Sequence, residues 1–241
     1  MNPKKITALI IAWFVLASAI SFSGESTDIL LYQRVDELMR EKNFTDARAL
    51  LERMIKKNNS DYVALAALGE IYAEEGNRKK AIKFVKRSIN INPEYPFSHF
   101  LLGRLYFLTQ NEKKAVEEFN LFKEKTLSLL NIMDQDDREL YLARLQYICE
   151  AYFNMKISDE YKMAVDAMLF VDPKNQTAAY NMGVYYYVFG HNRPKAYEYF
   201  KKAKEIEPST YIGKKAEYAI DFIRNNPDTR IAPDFSFLDR E

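Results

Sequence analysis

The stretch from Tyr62 to Tyr95 restricts the fold more than any other part of the 241-residue chain. With Tyr62 counted as place 1, Leu65 falls at place 4, Leu68 and Gly69 at places 7 and 8, Tyr72 at 11, Gly76 at 15, Ala81 at 20 and Pro93 at 32. This spacing predicts two helices, about 62–75 and about 78–91. Small Gly69 and Ala81 mark where the two backbones cross, and Leu68 and Tyr72 fill the space beside them. Gly76-Asn77 turns the chain between the helices. Asn92-Pro93 ends the second one, because proline has no N–H and disfavours helix in the residue before it. A single hairpin of this kind leaves an apolar face bare, which similar hairpins must cover.

These residues resemble a tetratricopeptide repeat. The pattern departs at three places, where Leu65 replaces the usual Trp, Val85 the aromatic at place 24 and Ser88 the Ala at place 27. None of these breaks the hairpin. Counting back, a unit that starts at Asp28 puts Ala47 at place 20, although Arg34 and Val35 depart at places 7 and 8; Thr27-Asp28 can cap its first helix. The unit 96–129 carries Leu102, Gly103, Tyr106, Ala115 and Phe119 in phase, and its second helix is expected to continue through Leu130 and Met133. After an insertion near 130–141 the phase resumes at Leu142, with Ile148, Cys149, Tyr152, Val165 and Pro173. Tyr161 stands where Ala belongs, so either the helices part there or Ala164 or Ala167 takes the crossing. The unit 176–210 carries Met182, Gly183, Tyr186, Gly190, Ala196, Phe200 and Pro208, with one extra residue expected at Asn192 or Arg193. A last helix with Ile212, Ala216, Ala219, Ile220 and Ile223 on one stripe closes the series. The resemblance implies an all-α, right-handed α-solenoid of about five helical hairpins plus a C-terminal capping helix, over 28–225.

The two ends differ from this region. Residues 1–23 combine Lys4 and Lys5, an apolar run from Ile6 to Ile20 broken only by Thr7 and Ser18, and small residues at Ala17-Ser18-Ala19 and Ser21-Phe22-Ser23. This reads as a cleaved signal peptide or as an uncleaved membrane anchor over 6–22, and both place the chain beyond a short 24–27 linker outside the cytoplasm. No Cys stands just after the run for a lipid anchor. Removing 1–23 takes two lysines and no acid, leaving 33 of the 35 basic residues against 34 acidic ones. Without a basic excess, nucleic acid is not an expected partner. The tail 226–241 holds Pro233, Phe235, Phe237 and Leu238, too apolar for a solvated coil, and is expected to dock.

Chemistry is sparse. The two histidines differ in setting, His99 at a packing place and His191 in a turn. No phosphate loop, zinc-protease motif or nucleophile elbow occurs, so neither an enzyme nor a cofactor is expected. Asp134, Asp136 and Asp137 lack the glycine and regular oxygen spacing of a calcium loop, and read as the acidic start of a helix. Cys149, the only cysteine, falls at a helix crossing and reads as buried.

In tetratricopeptide arrays the first helix of each hairpin lines the inner face, through places 2, 5, 9, 12 and 13. The resemblance thereby implies a groove formed by Tyr32, Phe97, Phe100, Arg104, Phe107, Phe153, Tyr180 and Tyr187, with Asp36, Glu70 and Glu150 between them. A carboxylate clamp of the co-chaperone type is excluded, since its Lys and Asn places hold Tyr32 and Asp36, then Ala66 and Glu70, then Phe100 and Arg104. The expected function is a protein-interaction scaffold in the bacterial cell envelope, taking a protein or peptide segment of an envelope complex. The alternative is an accessory protein that holds a small apolar or aromatic ligand for a transport system.

Overall fold

A computed structural model describes residues 26–226; the signal or anchor segment 1–23, residues 24 and 25 of the linker and the tail from 227 lie outside the described residues. Among the described residues every regular element is helical. They run α1 (Ser26–Arg40), α2 (Phe44–Lys57), α3 (Tyr62–Glu74), α4 (Arg78–Ile91), α5 (Pro96–Leu108), α6 (Glu112–Leu127), a 3-10 turn (Leu130–Ile132), α7 (Gln135–Asn154), α8 (Ser158–Val171), α9 (Gln176–Val184), which continues as a π-helical turn (Tyr185–Phe189), α10 (Arg193–Ile206) and α11 (Tyr211–Asn225). None of them is long and apolar enough to cross a membrane. The all-α series of stacked hairpins expected from the sequence is what forms, and the chain divides between Arg144 and Leu145, within α7, into two compact units.

The repeat register is written in the turns. The residue at place 15 takes positive φ in every hairpin: Lys42 at 59°, Gly76 at 77°, Gln110 at 59°, Lys156 at 58° and, one residue late, His191 at 46°. An Asn comes next as N-cap of the second helix in four of the five. Asn43, Asn77, Asn111 and Asn192 accept from the backbone N–H of Asp46, Lys80, Lys114 and Lys195, so one otherwise orphaned donor per helix is satisfied. In the remaining hairpin Ile157 occupies this place and no side chain caps α8. The first helices α3 and α9 are capped by Asp61 and Asn175, and the closing helix α11 by Thr210, while α5 begins instead on Pro96, whose missing N–H costs nothing there.

Helix crossings use glycine as expected. A Cβ at Gly69 would lie 2.6 Å from Val85 Cγ2, at Gly103 2.6 Å from Phe119 Cδ1 and at Gly183 2.6 Å from Phe200 Cδ1. Around these crossings the first unit buries Leu65, Leu68, Ile71, Leu101, Phe119 and Phe122, and the second buries Ala179, Ala196, Ala203, Ala216 and Ile220.

The chain departs from the sequence reading in several places. The helix α1 begins at Ser26, ahead of the Thr27-Asp28 cap expected for it. The helix α6 stops at Leu127 rather than running on, and Leu130 and Met133 are buried from the 3-10 turn and the link after it. Arg138 fastens that link by donating to the carbonyls of Leu130 (3.0 Å) and Met133 (3.4 Å). Of the acidic residues, Asp134 caps α7 by accepting from the N–H of Asp137 at 2.9 Å. Tyr161 is accommodated at its crossing, its hydroxyl donating to the Asn181 carbonyl at 3.2 Å with Ala164 fully buried one turn on. The extra residue of the fifth hairpin is neither Asn192 nor Arg193. Asn77 and Asn111 donate to the carbonyls of Tyr72 and Tyr106, five residues back, whereas Asn192 donates to that of Tyr186, six back. The insertion is therefore absorbed between those two residues, as the π-turn of Tyr185–Phe189.

Candidate functional site

The places expected to face inward are, in the first unit, filled and ionisable. Place 9 of its three hairpins holds Asp36, Glu70 and Arg104 on α1, α3 and α5. Asp36 is 3% and Glu70 1% exposed, and Asp36 Oδ1 and Glu70 Oε2 have no hydrogen-bond partner among the described residues. Burial raises the Asp36 carboxyl to about 8, opposed by Arg40 and reinforced by Glu70. Burial likewise raises Glu70 to about 7, opposed by Arg104 and Arg144 and reinforced by Glu74. Arg104 donates to Glu74 at 2.6 Å. The guanidinium of Arg144, on α7, lies 4.5 Å above the centre of the Phe97 ring and 5.5 Å from that of Phe100, and burial lowers it to about 10.

The corresponding places of the second unit border an open cavity of about 440 Å³. With Leu142 and Gln176 as place 1, places 5, 9, 12 and 13 are Gln146, Glu150, Phe153 and Asn154 on α7, and Tyr180, Val184, Tyr187 and Val188 on α9 and its π-turn; all eight line it. Tyr187 and Val188 lie within the π-turn, which takes up the extra residue so that Asn192 still caps α10. The rings are braced from behind. Phe153 meets Tyr161 at 6.1 Å and Phe189 at 5.8 Å, and Tyr180 meets Phe200 at 5.4 Å between centres. A polar rail runs along one wall: Asn181 Nδ2 donates to Gln146 Oε1 at 2.7 Å, and Gln146 Nε2 donates to Glu150 Oε1 at 3.0 Å. Glu150 is exposed.

The eight predicted groove residues thus fall into two sets. Phe153, Tyr180 and Tyr187 meet on the cavity of the second unit. Of the others, Tyr32 is buried with its hydroxyl donating to Asp61 Oδ1 at 2.6 Å, Phe97 and Phe100 are buried beneath Arg144, Arg104 pairs with Glu74, and Phe107 is half-buried. Gln146, Asn154, Val184 and Val188 were missed, although the 34-residue period that gave the rest reaches them too. Arg144 sits at place 3, where nothing in the pattern marks it. His99 has the carboxylate partner that linear spacing hid, Glu118 at 2.7 Å across the hairpin, and its other ring nitrogen lies 2.9 Å from the Pro93 carbonyl.

The tetratricopeptide-repeat family model matches residues 38–96. No curated protein sequence matches the chain. Among solved structures, a crystal structure of MamA is similar over 76% of this chain and 97% of its own, at TM-score 0.56 and 21% identity. YrrB, described as "a TPR protein with an unusual peptide-binding site", is similar over 85% of this chain and 97% of its own, at 0.54 and 20%. A MamA chain from Desulfovibrio magneticus RS-1, from residue 41 to its end, covers 77% and 98%, at 0.56 and 16%. At such identities the likeness is one of fold. Residues 38–96 match the tetratricopeptide-repeat family, and the hairpins beyond them share the fold of these structures.

Proposed function

We propose that this chain is a non-enzymatic interaction scaffold that holds a segment of a partner protein in the cavity of its second unit, and that it works outside the cytoplasm as part of the cell envelope. The cavity carries the reading: it is built from the inner-face places of two successive hairpins, it is open, and braced aromatic rings supply the apolar anchoring surface that protein interfaces concentrate their energy on. The peptide-binding site described for YrrB, a neighbour in fold, is in keeping with it. Export rests on the basic start, apolar run and small residues of 1–23.

The test is capture of an envelope partner by the exported full chain, compared with Phe153→Ala and Tyr187→Ala variants of unchanged melting temperature. Loss of that partner in both variants is expected. Equal retention in both would remove the cavity from the reading, and recovery of the intact chain from the soluble cytoplasm would remove the envelope. A cavity of about 440 Å³ is also of the size that encloses a small molecule. An apolar or aromatic ligand for a transport system is the second reading, and native mass spectrometry of the purified chain separates the two by the mass that stays bound.

A further inference from the structure

Glu150 is placed as a recognition group. It projects from α7 at place 9 onto the same cavity as Phe153, Tyr180 and Tyr187. One carboxylate oxygen accepts from Gln146, which is itself oriented by Asn181, a side chain only 6% exposed. Each amide in this rail donates toward the carboxylate, so the rail ends in an acceptor held in a fixed direction. The second Glu150 oxygen makes no hydrogen bond or ion pair with a described residue. The cationic residue among those lining the cavity, Lys215, holds its ammonium 4.4 Å from the centre of the Tyr211 ring, which is not part of the lining. A fixed carboxylate among aromatic rings complements a flat, delocalised cation, which stacks on ring faces and forms directed hydrogen bonds to carboxylate.

Resting on the reading of the cavity as a partner groove, we infer that the partner segment inserts an arginine side chain there, with its guanidinium hydrogen-bonded to Glu150 and packed against the rings of Phe153, Tyr180 and Tyr187. Arginine suits this site better than lysine, because the guanidinium can hydrogen-bond the carboxylate at its edge while stacking a face on a ring, whereas an ammonium must keep more of its hydration. The contact orders the partner as well as holding it. A rail that ends at one wall fixes which way round the segment lies.

The experiment titrates the full chain with N-acetyl-arginine amide, its neutral isostere N-acetyl-citrulline amide and N-acetyl-phenylalanine amide, following the methyl resonances of Val184 and Val188 by NMR. The arginine probe is expected to shift both, with citrulline about tenfold weaker. Glu150→Gln should bring arginine down to the citrulline level. This variant keeps an acceptor for Gln146 at an exposed position, and an unchanged melt confirms its fold. Equal binding of arginine and citrulline, or arginine binding unaffected by Glu150→Gln, overturns the inference. Shifts from the phenylalanine probe without any from arginine also overturn it, while leaving the groove standing. Silence from all three overturns the groove along with it.

Discussion

Place 9 reads Asp36, Glu70 and Arg104 in the first unit and Glu150 and Val184 in the second, yet the first two of these carboxyls are sealed and Glu150 is exposed. In the first unit Arg144 packs over the rings of Phe97 and Phe100, and Asp36 and Glu70 are buried. In the second, Gln146 and Glu150 share one rail along the wall, and Tyr187 and Val188 line the opening. The repeat fixes where a side chain sits along its helix. The surroundings decide whether that place serves as core or as a contact surface.

The largest expected effect should ignore this difference. Gly103→Leu in the first unit and Gly183→Leu in the second each drive a side chain into the ring of Phe119 or Phe200, and each should cost about 3 kcal/mol or more in denaturant unfolding. A unit whose Gly→Leu variant unfolds like the parent does not have its helices crossed at that glycine.

The next prediction should separate the units by pH. Asp36 and Glu70 rise from 3.8 and 4.5 to about 8 and about 7 on folding, so the folded chain keeps protons that the unfolded chain has lost. Their stabilisation is complete below the unfolded values and is lost as pH climbs through the folded ones. Between pH 5 and pH 8.5 the loss should be on the order of a few kcal/mol, and the double variant Asp36→Asn, Glu70→Gln should flatten the profile. A parent whose melting temperature is level across that range would show these carboxyls to be hydrated.

A comparable effect is expected in binding, and there the second unit responds alone. Tyr187→Ala or Phe153→Ala should weaken partner retention by roughly 2 kcal/mol, whereas Asp36→Asn should leave it unchanged. If Asp36→Asn releases the partner as fully as Tyr187→Ala does, both inner faces bind, and the contrast between them fails.

The smallest effects lie in the turns. Lys42, Gln110 and Lys156 sit at φ of 58–59°, a region that costs side-chain-bearing residues, so each change to Gly should gain about 0.5–1 kcal/mol in either unit. Gly76→Ala, at φ 77°, should lose about as much. Melting curves of the four single variants check the set together, and a loss on Gln110→Gly would mean that its side chain contributes more than its backbone costs.

Much of this fold is legible in the sequence because its determinants are local and periodic. Gly69, Gly103 and Gly183 announce the crossings, and Asn43, Asn77 and Asn111 announce the second helices at a fixed interval. The one-residue insertion was visible, but its position was not. A loop and a π-turn absorb an extra residue equally well in linear spacing, and only the bond from Asn192 back to Tyr186 separates them. The groove was half legible for a related reason. Periodicity assigns Phe97 and Phe100 to the inner face, but their cover is Arg144, a residue more than 40 positions further along at a place that the pattern leaves unmarked. The His99–Glu118 pair is hidden in the same way, since it forms across a hairpin.

Cys149 gives the second unit a built-in clock. Its thiol is 1% exposed, sits 3.9 Å from the sulfur of Met168 on α8 and borders the cavity wall. A thiol reagent can reach so buried a sulfur only when its surroundings open, so with reagent in excess the labelling rate records how often the packing around it opens. An occupant of the cavity covers this wall and must slow that rate. The slowing, measured against concentration, yields an affinity without any label on the occupant.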